Sequence, residues 1–248
     1  MFEPAAIRRG PSGLADWPRP FVFRASHLDG LTFAAGDRFH FNLNLFDIET
    51  PATACLVLAF SQLAAEGLGP QRRGVELTSV TQLNEQGEGS EIIYANGTTQ
   101  PSTPPLELTL APAAAPVTSL RVRFLTPTEL KSGQQIAARP EFAILTARVR
   151  DRISTLAGLY GSGPLSLDFR AFGERAAAVT MTRCAIQTVD TKRRSSRTGQ
   201  VHRIGGFIGE AEYEGDLTEF VPYLRAARWT GVGRQTVWGK GEIAVELL

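Results

Sequence analysis

Between residues 231 and 241 the chain reads Gly231-Val232-Gly233-Arg234-Gln235-Thr236-Val237-Trp238-Gly239-Lys240-Gly241, a GxGxxxxxGxG pattern set between a predicted helix and a predicted final strand. Glycine lacks Cβ, so such a segment takes positive φ readily and lets another group approach its amides closely. A dinucleotide-binding fingerprint needs a strand before the glycines and a helix after them, and a phosphate loop needs Gly-Lys-Ser or Gly-Lys-Thr; neither order is present. Two readings stay open. The glycines serve a nucleic-acid backbone, with Arg234, Lys240 and Trp238 beside them, or they permit a tight crossing of helix and strand.

The 248 residues suffice for two small domains. The first residues lack the apolar core of a signal peptide and no long apolar run follows, so a cytoplasmic protein without membrane contact is expected. Cys55 and Cys184 stand in no metal or redox spacing and are expected to be buried thiols. No carboxylate cluster with metal spacing occurs, and neither metal nor cofactor is expected. Net charge is +1, but residues 1–138 hold 10 basic and 13 acidic groups and the remainder 16 and 12, so the halves carry −3 and +4. Arginine outnumbers lysine 23 to 3, a bias suited to bidentate phosphate contacts and base stacking.

Hydrophobic periodicity predicts strands over 38–46, 74–83, 91–95, 117–126, 179–189, 204–213 and 242–248. Helices are predicted over 52–65 and 142–160, and a further one from a capping box at Asp216 and Glu219 to Arg228, where Pro222 is tolerable only in the first turn. Asn96-Gly97 reads as a turn, and Pro127 as a strand stop. The mixed order suits an α+β protein of two domains with antiparallel sheets, 1–135 and 136–248.

The glycine-rich loop resembles that of the CRISPR-associated repeat-RNA endoribonucleases of the RAMP superfamily. The resemblance extends to Gly205-Gly206-Phe207-Ile208-Gly209-Glu210, Tyr213 to Leu217, Phe220 to Leu224, Pro18 to Val22 and Leu120 to Leu130. It implies tandem ferredoxin-like (RRM-like) domains, the first with an irregular arm, the second with a basic connector and the C-terminal glycine-rich loop. It further implies a metal-independent cut in CRISPR precursor RNA and retention of the mature guide RNA.

Five basic side chains, Lys192, Arg193, Arg194, Arg197 and Arg203, lie in a stretch with no acid between Asp190 and Glu210. That stretch is a natural phosphate track for the repeat hairpin, with Gly231, Gly233, Arg234, Gln235, Gly239, Lys240 and Gly241 completing the expected RNA-binding set. Cutting RNA without metal requires a 2′-hydroxyl to lose a proton and the departing 5′-oxygen to gain one. The family's histidine after the first strand is missing from Asp47 to Pro51, which leaves His40 and His27, or the charge of Arg38 and Arg24, as catalytic candidates. The alternative is a non-catalytic guide-RNA-binding subunit of a CRISPR ribonucleoprotein, with other subunits of that complex as partners.

Overall fold

Alternation from Ser119 to Thr128 produces the strand on which most of the molecule is built. Leu120, Val122, Phe124, Thr126 and Thr128 are buried, while Arg121, Arg123 and Leu125 occupy the opposite face. A computed structural model describes residues 17–46, 52–69, 71–100, 104–190, 192–194, 201–203 and 205–248, with only the backbone of 192–194 and 201–203. In chain order the elements are β1 (Phe21–Arg24), β2 (Asn42–Leu45), α1 (Ala52–Glu66), β3 (Ser79–Leu83), β4 (Gly89–Ala95), β5 (Thr98–Thr99), β6 (Ser119–Thr128), β7 (Lys131–Ser132), β8 (Gln135–Ile136), α2 (Phe142–Tyr160), α3 (Phe169–Ala177), β9 (Thr180–Val189), β10 (Lys192–Arg194), β11 (Val201–Arg203), β12 (Gly206–Glu214), α4 (Val221–Thr230) and β13 (Ile243–Leu247).

Among the described residues the chain forms two compact units, one within 52–108 and one of 17–46 with 109–248. In the larger, four strands form an antiparallel sheet in the order β13-β6-β12-β9. With α2 and α4 as crossovers this is the βαββαβ arrangement of a ferredoxin-like domain, so the expected α+β class with antiparallel sheets holds. Strand β6 belongs to this sheet because both its neighbours come from residues after 206. Apolar spacing along α2 aims Phe142, Leu145, Val149 and Ile153 at the sheet, where they meet Tyr213, Phe220 and Leu224. The Phe142 ring lies 5.0 Å from that of Tyr213 and 5.1 Å from that of Phe220. Inside this core the Tyr213 hydroxyl donates to Pro140 O at 2.6 Å.

Several expected boundaries are corrected. Strand β6 runs through Pro127, because the register with β12 breaks between Phe207 and Gly209 and no ladder N–H is needed there. Helix α4 starts at Val221, not at Asp216: Pro222 fits only the first turn, and the Asp216 carboxylate instead accepts from Thr218 N at 3.4 Å. The strand expected over 38–46 shrinks to β2, which pairs with β1 through Phe21↔Leu45 and Phe23↔Leu43. That leaves residues 37–41 irregular and exposes His40. Helix α3 was not expected. Its start is fixed by Asp168, whose carboxylate accepts from Arg170 N and Ala171 N, each at 3.0 Å.

In the smaller unit α1 is followed by β3-β4-β5, with Asn96 and Gly97 at positive φ in the expected turn. Cys55 is exposed on α1 and Cys184 half-buried on β9, against the expectation of two buried thiols: the apolar residues of α1 surround it, and Leu56, Val57 and Ala64 alone turn inward. No helix of the described residues is long and apolar enough to cross a membrane.

Candidate functional site

The glycine-rich segment leaves α4 at Gly231, makes a 3-10 turn over Thr236–Trp238 and enters β13. Gly231, Gly233, Gly239 and Gly241 all have positive φ. Two of them are crowded by the protein's own backbone. A Cβ at Gly241 would overlap the Val232 carbonyl oxygen, and one at Gly233 would overlap that of Glu129. The crossing is sealed by Val232 N donating to Gly241 O at 2.9 Å, Gly241 N to Pro127 O at 3.2 Å and Thr126 Oγ1 to Gly239 O at 2.9 Å. The tight-crossing reading therefore accounts for Gly231, Gly233 and Gly241, whose amides were expected to lie open: Gly231 and Gly241 are buried.

Lys240 is likewise corrected from a surface cation to an internal one, only 2% exposed. Its Nζ donates to Gly205 O at 2.6 Å, Gln235 Oε1 at 3.1 Å and Glu129 Oε2 at 3.4 Å. Burial holds the ammonium below its usual range and the Glu129 charge offsets part of that. Glu129, which sequence reasoning passed over, also takes Arg234. Its signal was a lone carboxylate at the end of a strand facing a basic loop. Arg234 and Trp238 are the exposed side chains of the loop, at 43% for Trp238, and Gln235 stands between them in a left-handed conformation.

The bond from Lys240 to Gly205 ties the loop to the base of the basic connector. There β10 and β11 form a hairpin, Lys192↔Arg203 and Arg193↔His202, that prolongs the β9–β12 ribbon. Arg197 lies outside the described residues.

At the other end of the loop, Glu242 Oε2 accepts from Ser26 Oγ at 3.2 Å, and the next residue is His27. The rings of His27 and His40 stack with centroids 4.5 Å apart and 28° between planes. His27 Nε2 lies 2.8 Å from His40 O. A carbonyl only accepts, so His27 carries a proton on Nε2 and its Nδ1 is the acceptor of the neutral ring. Both histidines and Arg38 are exposed. Among the described residues Arg38 makes no ion pair and the His40 ring nitrogens no hydrogen bond. Arg24, expected near them on an accessible face, is buried, with its side chain 7% exposed. It donates from Nη2 to Arg228 O at 3.3 Å and lies 3.9 Å from Glu242 Oε1. The structure thus brings the histidine pair, the loop and the hairpin base together around residues 231–242.

The outer face of the four-stranded sheet is not a base-stacking platform. Arg121 meets Glu212 at 2.7 Å and Glu246 at 3.1 Å, and Arg183 lies 3.2 Å from both Glu210 and Glu212. The Arg121 hydrogen bond holds the Glu212 carboxyl below its usual value. No aromatic side chain stands on that face, so the RRM mode of stacking bases on a sheet is missing there. Among the described residues no group of three or more His, Cys, Asp or Glu stands as a metal site.

The family model described as CRISPR-associated endoribonuclease Cas6 matches residues 122–243, and one described as an N-terminal domain matches 1–106. No curated protein matches the chain. Among solved structures, a product complex of Cas6 TTHB231 from Thermus thermophilus is 18% identical and covers 92% of this chain and 81% of that one, with a TM-score of 0.57. A product complex of Cas6 TTHA0078 is 18% identical over 92% and 84%, with a TM-score of 0.53. A partial Cas6-RT-Cas1–Cas2 complex is 12% identical over 92% of this chain and 39% of that one, with a TM-score of 0.58. A further structure of Thermus thermophilus Cas6 TTHB231 is 19% identical over 54% of this chain and 55% of that one, with a TM-score of 0.41. At these identities the likeness establishes the fold, which is the fold that the match over 122–243 calls for. On these grounds residues 122–243 match the CRISPR-associated Cas6 endoribonuclease family, and the chain shares the fold of solved Cas6 structures.

Proposed function

We propose that the protein is a metal-independent endoribonuclease that processes CRISPR precursor RNA, gripping the repeat hairpin through the basic connector at 192–203 and retaining the mature guide. The observation that carries the reading is the Cas6 match over the segment holding the hairpin and the glycine-rich loop. The stacked, exposed histidines beside that loop supply the chemistry. One imidazole accepts the proton of the 2′-hydroxyl, the hydroxyl oxygen attacks the adjacent phosphorus, and the 5′-oxygen departs with a proton from an imidazolium, leaving a 2′,3′-cyclic phosphate. Arg38, unneutralised among the described residues, stabilises the crowded phosphate, and Arg234 and Trp238 offer charge and a stacking face to the flanking strand.

Purified protein incubated with its repeat RNA in EDTA is expected to yield the cyclic phosphate end. Dependence on added magnesium rejects the mechanism. A second reading, a non-catalytic guide-binding subunit, is favoured by the shared fold with the Cas6-RT-Cas1–Cas2 assembly. Replacing His27 and His40 singly by Ala separates the two: a loss of cleavage of about 10²- to 10⁴-fold with binding retained supports the enzyme, whereas wild-type protein that binds without cutting supports the subunit.

A further inference from the structure

Buried polar groups in folded proteins nearly always have partners. Among the described residues the exceptions are four side-chain atoms, and all are guanidinium nitrogens: Nε and Nη1 of Arg24, Nε of Arg148 and Nη2 of Arg152. Arg148 and Arg152 stand one turn apart on α2, and Arg152 reaches the end of α4, donating from Nε to Thr230 O at 2.6 Å. Arg24 reaches the same helix end through Arg228 O, and Asn44 Nδ2 donates to Trp229 O at 2.8 Å. The carbonyl end of α4, with its partial negative charge, holds these cations in place but leaves donors unused.

The local charges do not balance. Arg24, Arg148, Arg150 and Arg152 face two carboxylates, Asp151 and Glu242. Asp151 is already shared, at 2.9 Å from Arg148 and 2.6 Å from Arg150, and Glu242 is no nearer than 3.9 Å to Arg24. Burial first, and then the charge of Arg24, pushes the Arg152 guanidinium down to about 9. A guanidinium keeps its proton at neutral pH, so the fold carries the cost of two like charges with unmet donors. Gly231 accommodates this cluster: a Cβ there would lie 3.2 Å from Arg24 Nη2.

We propose that Arg24 and Arg152, with Arg148 at the rim, form a receptor for one phosphodiester group of the RNA strand. A tetrahedral oxyanion offers the acceptors and the negative charge that the cluster lacks, and planar guanidinium forks suit it. The Arg148 side chain, 36% exposed, marks the side from which the phosphate enters. The identity of the anion as RNA rests on the function proposed above; the receptor itself does not.

Two measurements separate the claims. Thermal unfolding is followed with inorganic phosphate against chloride at matched ionic strength, and binding of repeat RNA against salt. Phosphate at ten times its dissociation constant is expected to raise the wild-type Tm by about 3 °C. Arg152→Met should abolish that shift and lower the salt slope of RNA binding by about 0.7 to 0.9. Should Arg152→Met fail to fold by circular dichroism, Arg148→Met gives the same readouts with a partial loss. An unchanged wild-type Tm in phosphate, or variants with wild-type shifts and slopes, overturns the receptor. A phosphate shift without RNA binding upholds the receptor and rejects the RNA reading.

Discussion

Replacing Gly241 by Ala tests whether the loop's glycines are there for the fold. Gly241 has φ +68, where an alanine costs about 1 to 2 kcal/mol relative to the right-handed region. Its new methyl would overlap Val232 O and lie 3.0 Å from Val232 N, so the crossing must open. Opening disrupts the Val232–Gly241 bond of 2.9 Å in a buried site, a further loss of about 1 to 3 kcal/mol. The sum is about 2 to 5 kcal/mol, a large part of the 5 to 15 or so that holds a typical domain together. Gly133 is the control in the same unit, because its φ is +60 and a Cβ meets nothing within 4 Å, so only the first penalty applies. Urea unfolding of both variants should place Gly241→Ala about 1 M below Gly133→Ala in midpoint. Equal midpoints, with RNA affinity lost in Gly241→Ala alone, would refute the packing argument and return this glycine to the ligand.

Three further outcomes are expected. Tyr213→Phe removes the buried donor to Pro140 O and should destabilise by about 1 to 2 kcal/mol without changing cleavage, read by urea midpoints and a cleavage assay. Asp168→Ala strips the cap from α3 and should cost about 1 kcal/mol, visible as faster amide exchange at Arg170 and Ala171. Lys240 holds its proton less tightly folded than unfolded, so between its lowered value and 10.5 the unfolded chain binds more protons and stability rises with pH. Lys240→Met should erase that rising component of the stability curve across this interval. A curve identical to wild type would mean that Lys240 is not desolvated.

Local patterns predicted what local physics decides. Helix α2 was legible to the residue because Phe142, Leu145, Val149, Ile153 and Leu156 repeat at helical spacing and nothing interrupts them. The end of β6 was misread at Pro127 since β6 itself bulges there, residues 125–127 facing the single residue 208 of β12, and a bulge removes the need for the missing N–H. The start of α4 was recoverable from Pro222 but was overridden by a capping pattern that a turn satisfies instead. Both histidine candidates lie exposed, yet nothing in a separation of thirteen positions announces that their rings stack. Lys240 and Arg24 read as available charges because a sequence shows charge and not enclosure. Their acceptors, Gly205 O, Glu129 and Arg228 O, come from remote parts of the chain.

The ribbon of β9 and β12 continues past the sheet as β10 and β11. Such an outgrowth adds no strand to the four-stranded sheet. The registers of the sheet are set by β13, β6, β12 and β9, so on the function proposed above such an arm can change in length and composition without changing them. Descendants of one ancestral chain can thus acquire different RNA preferences while inheriting the same frame.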